Sequence, residues 1–505
     1  MKTSRADEEP HAAASSGADS SAQVEVSSEG GVLSQGEISS QGEVSMHGAA
    51  SSHREVSTHR VLNRTNLLLV ALGLASLALY RYGVGFDLTR TPFRIVPFLK
   101  LALAQSALAA FAAWIVWRAR SARSTFIIVI VFAALFRLSV MFAPPQLSDD
   151  IYRYIWDGRV QAAGVNPYRH IPADDALKSL RDADIYTHIN RRDYAQTIYP
   201  PLAQIFFFLT TRVSEGVWWM KASMILFEGV GLYALTLLLA SFKVARERVI
   251  VAAWHPLAVW EVAGSGHLDA LVLAFVALAL VARRRGRESL TGALLAAAVL
   301  VKLFPVVLFP ALYRRWGWRM PLAFCVTLVA GYAPYLSVGA RRVVGYLPGY
   351  AGEEGLESGA RFFLLQLART LFGERHAPSA AYYVFAFVVL GALAAWCFFK
   401  RELNERDYVR RAALLATAFT VLLSPHYSWY FVWLVPFLCF AGAQTFAPLL
   451  YLTTACFMLY GTWLGDAPAD MLRLNACIYL PPALLLLISY LRRGAKAPDT
   501  LTATT

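Results

Sequence analysis

The sequence predicts an all-α polytopic membrane protein with one long polar loop, and three observations carry that reading. Hydrophobic residues make up 57% of the 505 and charged residues only 16%, with a mean hydropathy of +0.45, a balance foreign to soluble globular chains. After residue 65 apolar stretches recur that suit helices crossing about 30 Å of hydrocarbon, roughly 20 residues each. Apolar residues run continuously through stretches such as 270–282, without the alternation of a membrane β-barrel strand.

Residues 1–60 differ in kind. Ser, Gly, Ala and Glu dominate, aromatics are absent, and phrases such as SQGEISS and QGEVSMH recur imperfectly, the composition of a disordered tail. Nine acids face four Lys or Arg there, so the rest of the chain is more basic than the overall +13. The tail lacks the basic start, apolar centre and cleavage site of a secretory signal, so it is expected to stay attached and cytoplasmic. A transmembrane domain over 61–495 and a cytoplasmic tail over 496–505 complete the expected organisation.

The basic residues do not point to nucleic acid. They cluster in short loops between apolar spans, as do the residues that fix membrane orientation. RARSAR from Arg118, the run 243–248, RRRGR from Arg283, RRWGWR from Arg314, KRELNERDYVRR from Lys400 and RRGAK from Arg492 are therefore expected on the cytoplasmic side. Spans near 66–82, 95–117, 125–143, 217–241, 249–263, 268–282, 320–338, 378–399, 411–426, 429–442, 446–464 and 474–491 satisfy that condition with both termini inside. Two apolar pieces fit less simply: 200–211, and 290–313, which Lys302 and Pro305 interrupt. Each is re-entrant or a pair of short helices. Such backbone at membrane depth is tolerated only beside protein or a water-filled cavity, so these pieces are expected to border a site. The expected bundle has about 12–14 crossings.

Cys325, Cys397, Cys439, Cys456 and Cys477 lie within or at the edge of apolar spans without paired spacing, which reads as free thiols rather than a disulfide framework or a metal cluster. Neither GxxxxGK[ST] nor a GxGxxG after a strand occurs. Transport driven by nucleotide hydrolysis in this chain is thereby disfavoured.

The long polar segment over 144–200 falls outside in this topology. From Pro144 to Tyr199 it holds eight Asp, no Glu and seven Lys or Arg. It begins PPQLSDDIYRYIWDGRVQAAGVNPYRH and ends YAQTIYPPLAQIFFF, so aromatics and prolines punctuate both ends at the membrane surface, where belt residues also occur. Asp149 and Asp150 directly follow a span, where a lipid-borne substrate would present its head group. A plain alternative is that Asp149 caps a short helix starting at Asp150.

The SDDIYRYIWDGRVQAAGVNPY run and the later TIYPPLAQ resemble the first external loop of GT-C glycosyltransferases. The chain is most similar to bacterial polyprenyl-phosphate-mannose-dependent alpha-mannosyltransferases of glycosyltransferase family 87 and relatives. GSGHLDAL at 264–271, KLFP at 302–305 and SPHYSWYFVWLVP from Ser424 add to the resemblance, which covers residues 60 to 490. It implies a GT-C-like bundle with an extended first catalytic external loop, a polyprenyl-phosphate sugar as donor, mannose as the sugar, and a lipid or glycan as acceptor.

The chemistry of such a donor narrows the residues needed. A phosphate ester departs as a stable anion, so no general acid is required, and one carboxylate must deprotonate the attacking hydroxyl, as the base does in inverting glycoside hydrolysis. Asp150 is assigned that role. Asp149 binds an acceptor hydroxyl, raises its neighbour's proton affinity or holds a divalent cation. No other cofactor or metal is called for. The leaving phosphate needs positive charge near the membrane surface. Lys302, an ionisable group inside an apolar run, is the intramembrane candidate, against snorkelling to an interface. Arg153 and Arg159 are loop candidates, and His267 and His426 are possible donors to the same phosphate. Asp269, with Glu261, flanks His267 and either orients it or pairs with arginines. Asn166, Tyr168 and Tyr199 are assigned to shaping the loop or the acceptor site, with Gly164, Asn166 and Pro167 supplying turn chemistry.

The leading reading is thus an inverting membrane glycosyltransferase acting on the external face of the plasma membrane. The alternative is a polytopic transporter or lipid-linked glycan flippase, which would favour broken helices in matching halves. One Lys/Pro-interrupted segment without an evident counterpart argues against it. A polysaccharide ligase or polymerase would more naturally place its large external loop later in the chain.

Overall fold

In the structure, a computed structural model, residues 64–88, 91–355, 358–464 and 468–494 are described, and the tails expected over 1–60 and 496–505 lie outside them. The described residues contain helices and turns and no strand. The chain is an all-α polytopic membrane protein.

Three long helices open it: α1 (Arg64–Val84), α2 (Ile95–Arg118) and α3 (Arg123–Met141). Apolar helices gain little from hydrophobic burial in lipid, so packing and interhelical hydrogen bonds hold them together. Asn66 on α1 donates to Ser124 Oγ at 3.0 Å and accepts from Thr125 Oγ1 at 2.8 Å, stapling α1 to α3. The 144–200 segment follows, carrying α4 (Asp150–Ala162). It is a folded unit: Arg159 pairs with Asp182 at 2.6 Å, Asp182 accepts from the Ile185 and Tyr186 amides, and the Ala173 amide donates to Arg192 O. Then α5 (Pro201–Thr211) starts at a proline in the first helical turn, where the missing N–H costs nothing, and packs on α4. Next comes α6 (Val217–Ser241). Arg137 of α3 and Glu228 of α6 form a buried ion pair with two hydrogen bonds, and Arg137 also donates to Ala253 O at 2.7 Å.

Among the described residues, seven helices are long and apolar enough to cross a membrane: α1, α2, α3, α6, Arg319–Val338, Ser379–Phe399 and Asp470–Arg492. Each corresponds to an expected span. The expected spans at 268–282 and 411–426 are the shorter helices Asp269–Arg284 and Asp407–Leu423. The stretches expected as spans at 249–263, 429–442 and 446–464 are not single α-helices. The first comprises Ile250–Ala253, Pro256–Ala258 and a π-helical turn over Val259–Gly264. Pro256 lacks an N–H and holds His255 extended, at φ −66° and ψ 119°. Every residue from 249 to 274 is buried, and such broken backbone is stable where protein surrounds it. The 290–313 piece is a hairpin. Helix Glu288–Val301 ends at Lys302, a 3-10 turn and a short helix run back through Phe309–Leu312, and Arg283 Nε reaches Leu312 O at 2.7 Å.

Five of the six basic clusters converge on one end of the bundle. Ser121 and the Ala122 amide bond Glu247 at 2.8 Å each, Arg284 reaches Ser241 O and Glu405, Arg283 pairs with Glu402, Arg406 reaches Phe242 O, and Arg315 reaches Phe398 O. The 144–200 segment sits at the other end, one membrane-length helix away along α3. The cavity lies there.

Candidate active site

A cavity of about 1400 Å³ opens between α4, the 187–200 stretch, the Lys302–Pro305 break and the 427–430 turn. Asp149, Asp150, Tyr199 and Lys302 all line it. Helix α4 starts at Asp150, as expected, with Asp149 at the N-cap position. The Asp149 side chain makes no capping bond. Asn190 instead donates through Nδ2 to Asp149 Oδ1 at 2.7 Å and to Asp150 Oδ1 at 2.8 Å. Ser148 Oγ takes the Asp150 amide at 3.2 Å. Both carboxylates thus sit at the positive end of the α4 dipole. Solvent reaches Asp149 from the cavity while protein crowds its other sides. That burial, with Asp150 alongside, raises the Asp149 carboxyl above its ordinary range, against the lowering effect of the Asn190 bond.

Lys302 marks the floor. Helix Glu288–Val301 ends there because the backbone turns extended, at φ −144° and ψ 141°. Its ammonium lies 2.6 Å from Asp269 Oδ2 and 4.8 Å from the centre of the Tyr430 ring. A cation at a helix C-terminus suits the dipole, and the aromatic face adds a further attraction. Asp269 is fully buried and His267 nearly so. Both lie behind the cavity wall. His267 stacks on Trp429 at 4.2 Å, and Trp429 stacks on Tyr427 at 4.3 Å, so three rings lead from the interior to the cavity surface. Glu261, on the π-helical turn, lies 3.5 Å from His267 Nε2 and accepts from Tyr460 at 2.7 Å. Gly266, at φ +79°, places this GSGHLDAL turn directly under α4, where a Cβ would strike Ile151.

A second segment covers the cavity. The helix Leu347–Glu353 contributes Leu347 and Tyr350 to the lining. Arg191, whose backbone is left-handed at φ 53°, pairs with Glu353 at 2.6 Å, and Tyr350 shares a hydrogen bond with Tyr430 at 2.9 Å. His426 stands just outside the lining residues, with Nδ1 2.7 Å from Arg361 and 3.1 Å from Glu354. Arginine can only donate, so a neutral ring accepts from Arg361 at Nδ1, whereas a protonated ring offers the same nitrogen to Glu354. Burial opposes the Glu354 charge, but bonds from His426 and Tyr350 and the charge of Arg361 hold its carboxyl below the usual range.

The remaining residues singled out in the sequence serve elsewhere. Arg153 is buried, bonds Asp157 at 2.8 Å and reaches Ala195 O. Arg159 is held by Asp182 and Glu215. Asn166 donates to Tyr335 O and Ser337 Oγ, and Tyr168 donates to Tyr199 O at 2.7 Å. None of these four lines the cavity. Asn190, Arg191, Tyr350, Glu353 and Glu354 were absent from the sequence reading because no local motif marks them. Among the described residues no group of three His, Cys, Asp or Glu side chains is placed to hold a metal ion.

The wall is therefore mixed: two bridged carboxylates, two cations that are each ion-paired, a face of stacked aromatics, and an apolar flank of Leu303, Phe304, Val306 and Phe419. Such an arrangement can accept a proton, neutralise an anion and hold a sugar ring against aromatic faces. No curated protein matches the chain. A family model described as alpha-(1->6)-mannopyranosyltransferase, N-terminal domain, matches residues 59–318, just over half of the chain, and takes in the Asp149–Asp150 pair, Asn190, Asp269 and Lys302. The chain belongs to the alpha-(1->6)-mannopyranosyltransferase family.

Proposed function

We propose that this membrane mannosyltransferase moves mannose from a polyprenyl-phosphate sugar to a hydroxyl of a lipid or glycan acceptor, with inversion, using Asp150 as general base and Lys302 to meet the donor phosphate. One observation carries the reading: the Asp149–Asp150 pair and Lys302 line a single cavity whose flank is apolar. Arg191, paired with Glu353, also lines it. Asp150 takes the proton of the acceptor hydroxyl as its oxygen bonds the anomeric carbon. The bond from that carbon to the phosphate oxygen breaks, and the polyprenyl phosphate leaves as an anion beside Lys302. A single displacement of this kind inverts the sugar carbon. Tyr427, Trp429 and Tyr430 supply the aromatic surface against which the sugar packs, and the Leu303–Phe304–Val306 flank accommodates the first apolar units of the lipid.

The convergence of basic clusters at the opposite end supports a cytoplasmic assignment for that end by the positive-inside tendency. The cavity then faces the outside of the plasma membrane, with both termini cytoplasmic. A divalent cation at the carboxylate pair is an added element that the reaction as written does not need.

Reconstitution of the purified protein with labelled polyprenyl-phosphate mannose and a total lipid extract tests the proposal. Label should move covalently to an acceptor with wild-type protein and not with Asp150→Asn. Transfer by Asp150→Asn at the wild-type rate, or counterflow of label without covalent transfer, would sink it.

A further inference from the structure

We propose that Asn190 is a positioning residue of the reaction: its single side-chain amide, shared between Asp149 and Asp150, holds two like-charged carboxylates side by side so that Asp150 stays available as the base. The inference rests on the function proposed above and deepens it.

Two carboxylates in sequence at one helix start repel each other, and that repulsion favours a proton held between them. A shared proton would idle the base. Two features of this site oppose it. The α4 N-terminus favours negative charge over its first turn. Asn190 Nδ2 supplies one donor to each acid, at 2.7 and 2.8 Å, and an amide has two N–H groups, one for each oxygen. Asn190 is itself fixed from outside the pair. The next residue, Arg191, adopts the left-handed backbone at φ 53° that non-glycine residues rarely occupy. Its guanidinium is pinned by Glu353 at 2.6 Å and lies over the Tyr350 ring at 5.5 Å. The covering helix therefore reaches the acid pair through two consecutive residues.

The other titratable groups around the pair are few in kind. On α4 they are Tyr152 and Tyr154, and from the 186–199 stretch they are His188, Arg191 and Tyr199. Asp269 and Lys302 face it from below, Tyr427 and Tyr430 from the side, and Asp87 and Tyr350 also line the cavity, so all are within electrostatic reach of the acids or line the same space. Tyrosines stay neutral across the acid range, and Arg191 and Lys302 are already compensated by Glu353 and Asp269. His188, stacked on Tyr152 at 4.7 Å, is the one histidine among the lining residues, so the test must separate any contribution of His188 or Asp87 from that of the pair.

The experiment is the pH profile of kcat/KM for transfer from labelled polyprenyl-phosphate mannose by full-length protein in proteoliposomes. Asn190→Ala should move the acid limb upward by about one pH unit, as expected for losing a hydrogen bond to a charged group, while the rate on the alkaline side stays within about threefold of wild type. Asn190→Asp, which keeps the shape but replaces the donor with a third carboxylate, should move the limb further and guards against a packing defect in the alanine variant. In an Asp149→Asn background one charge is gone while the bond from Asn190 to Asp150 remains, so removing Asn190 should shift the limb less than it does in wild type. An equal loss at every pH, an unmoved limb in Asn190→Asp, or a shift that is undiminished in Asp149→Asn overturns the inference, the last pointing to another group of the cavity instead. Asp150→Asn, run alongside, separates the two proposals: activity there removes the functional reading, whereas its inactivity beside an unshifted Asn190 profile removes only this one.

Discussion

Lys302 Nζ lies 2.6 Å from Asp269 Oδ2, with the acid wholly buried and the ammonium at the cavity wall. The acid thus lends the lysine a fixed position without competing for the cavity itself. Lys302→Met is expected to lower kcat/KM by about a hundredfold or more, in line with removal of an electrostatic donor. Asp269→Asn should keep the lysine near its place at a cost of about tenfold, mainly in KM for the donor. Steady-state kinetics in proteoliposomes decide it. A Lys302→Met enzyme within threefold of wild type would remove the lysine from the phosphate site.

Asp149 makes a prediction about stability. Burial and the neighbouring Asp150 raise its carboxyl in the folded protein. A raised carboxyl favours the protonated form, so the fold carries no penalty from it below the ordinary carboxylate range and an increasing one as pH rises through the shifted value. Asp149→Asn should therefore raise the unfolding temperature at pH 7 to 8, and the gain should vanish near pH 4. A gain that is the same at both ends of that range would show that charge is not its cause.

The Arg137–Glu228 pair concerns the bundle alone. It joins α3 to α6 with both side chains almost fully buried. Removing one partner strands a buried charge, which costs about 3–5 kcal/mol, whereas replacing both by apolar groups of similar volume is near neutral. Thermal unfolding in detergent should show Arg137→Met strongly destabilised and the Arg137→Met/Glu228→Leu double variant restored toward wild type. If the double variant unfolds as early as the single one, the pair is needed for more than charge compensation.

How far the sequence reached follows from what each residue can reveal locally. Uninterrupted apolar runs marked α1, α2, α3 and α6, because length and polarity alone decide whether a helix can cross. The broken pieces at 249–264 and 428–438 look the same in composition, and only Pro256 and Pro436 hinted at interruption. Asp149, Asp150 and Lys302 were visible as charges against an apolar background. Asn190 was not, since its partners lie 40 and 41 positions away, and neither was Glu353, 162 positions from Arg191. Arg153 illustrates the reverse case: its residue type suggests a phosphate ligand, although Asp157 stands four residues on, the spacing of a helical ion pair.

The last prediction concerns the covering segment, which two separate contacts tie to the catalytic side. Gly345 has φ +58°, and a Cβ there would strike Thr197 O, the same oxygen that accepts from the Tyr346 amide at 3.2 Å. Two residues on, the helix Leu347–Glu353 begins, and its last residue pins Arg191. A side chain at position 345 faces both the steric block and a backbone conformation that β-branched residues avoid. Gly345→Val should therefore lift the helix off the cavity, while the bundle, held by contacts such as Asn66 with Ser124 and Arg137 with Glu228, remains intact. Glu353→Gln weakens the same clasp more gently by removing the charge that holds Arg191. We expect transfer to fall by about a hundredfold in Gly345→Val and tenfold in Glu353→Gln, with unfolding temperatures within a few degrees of wild type. If the loss arises from the clasp, the double variant should be no worse than Gly345→Val alone, since both act through one contact. Multiplicative losses in the double variant would mean that Glu353 contributes to transfer by a route other than the covering helix.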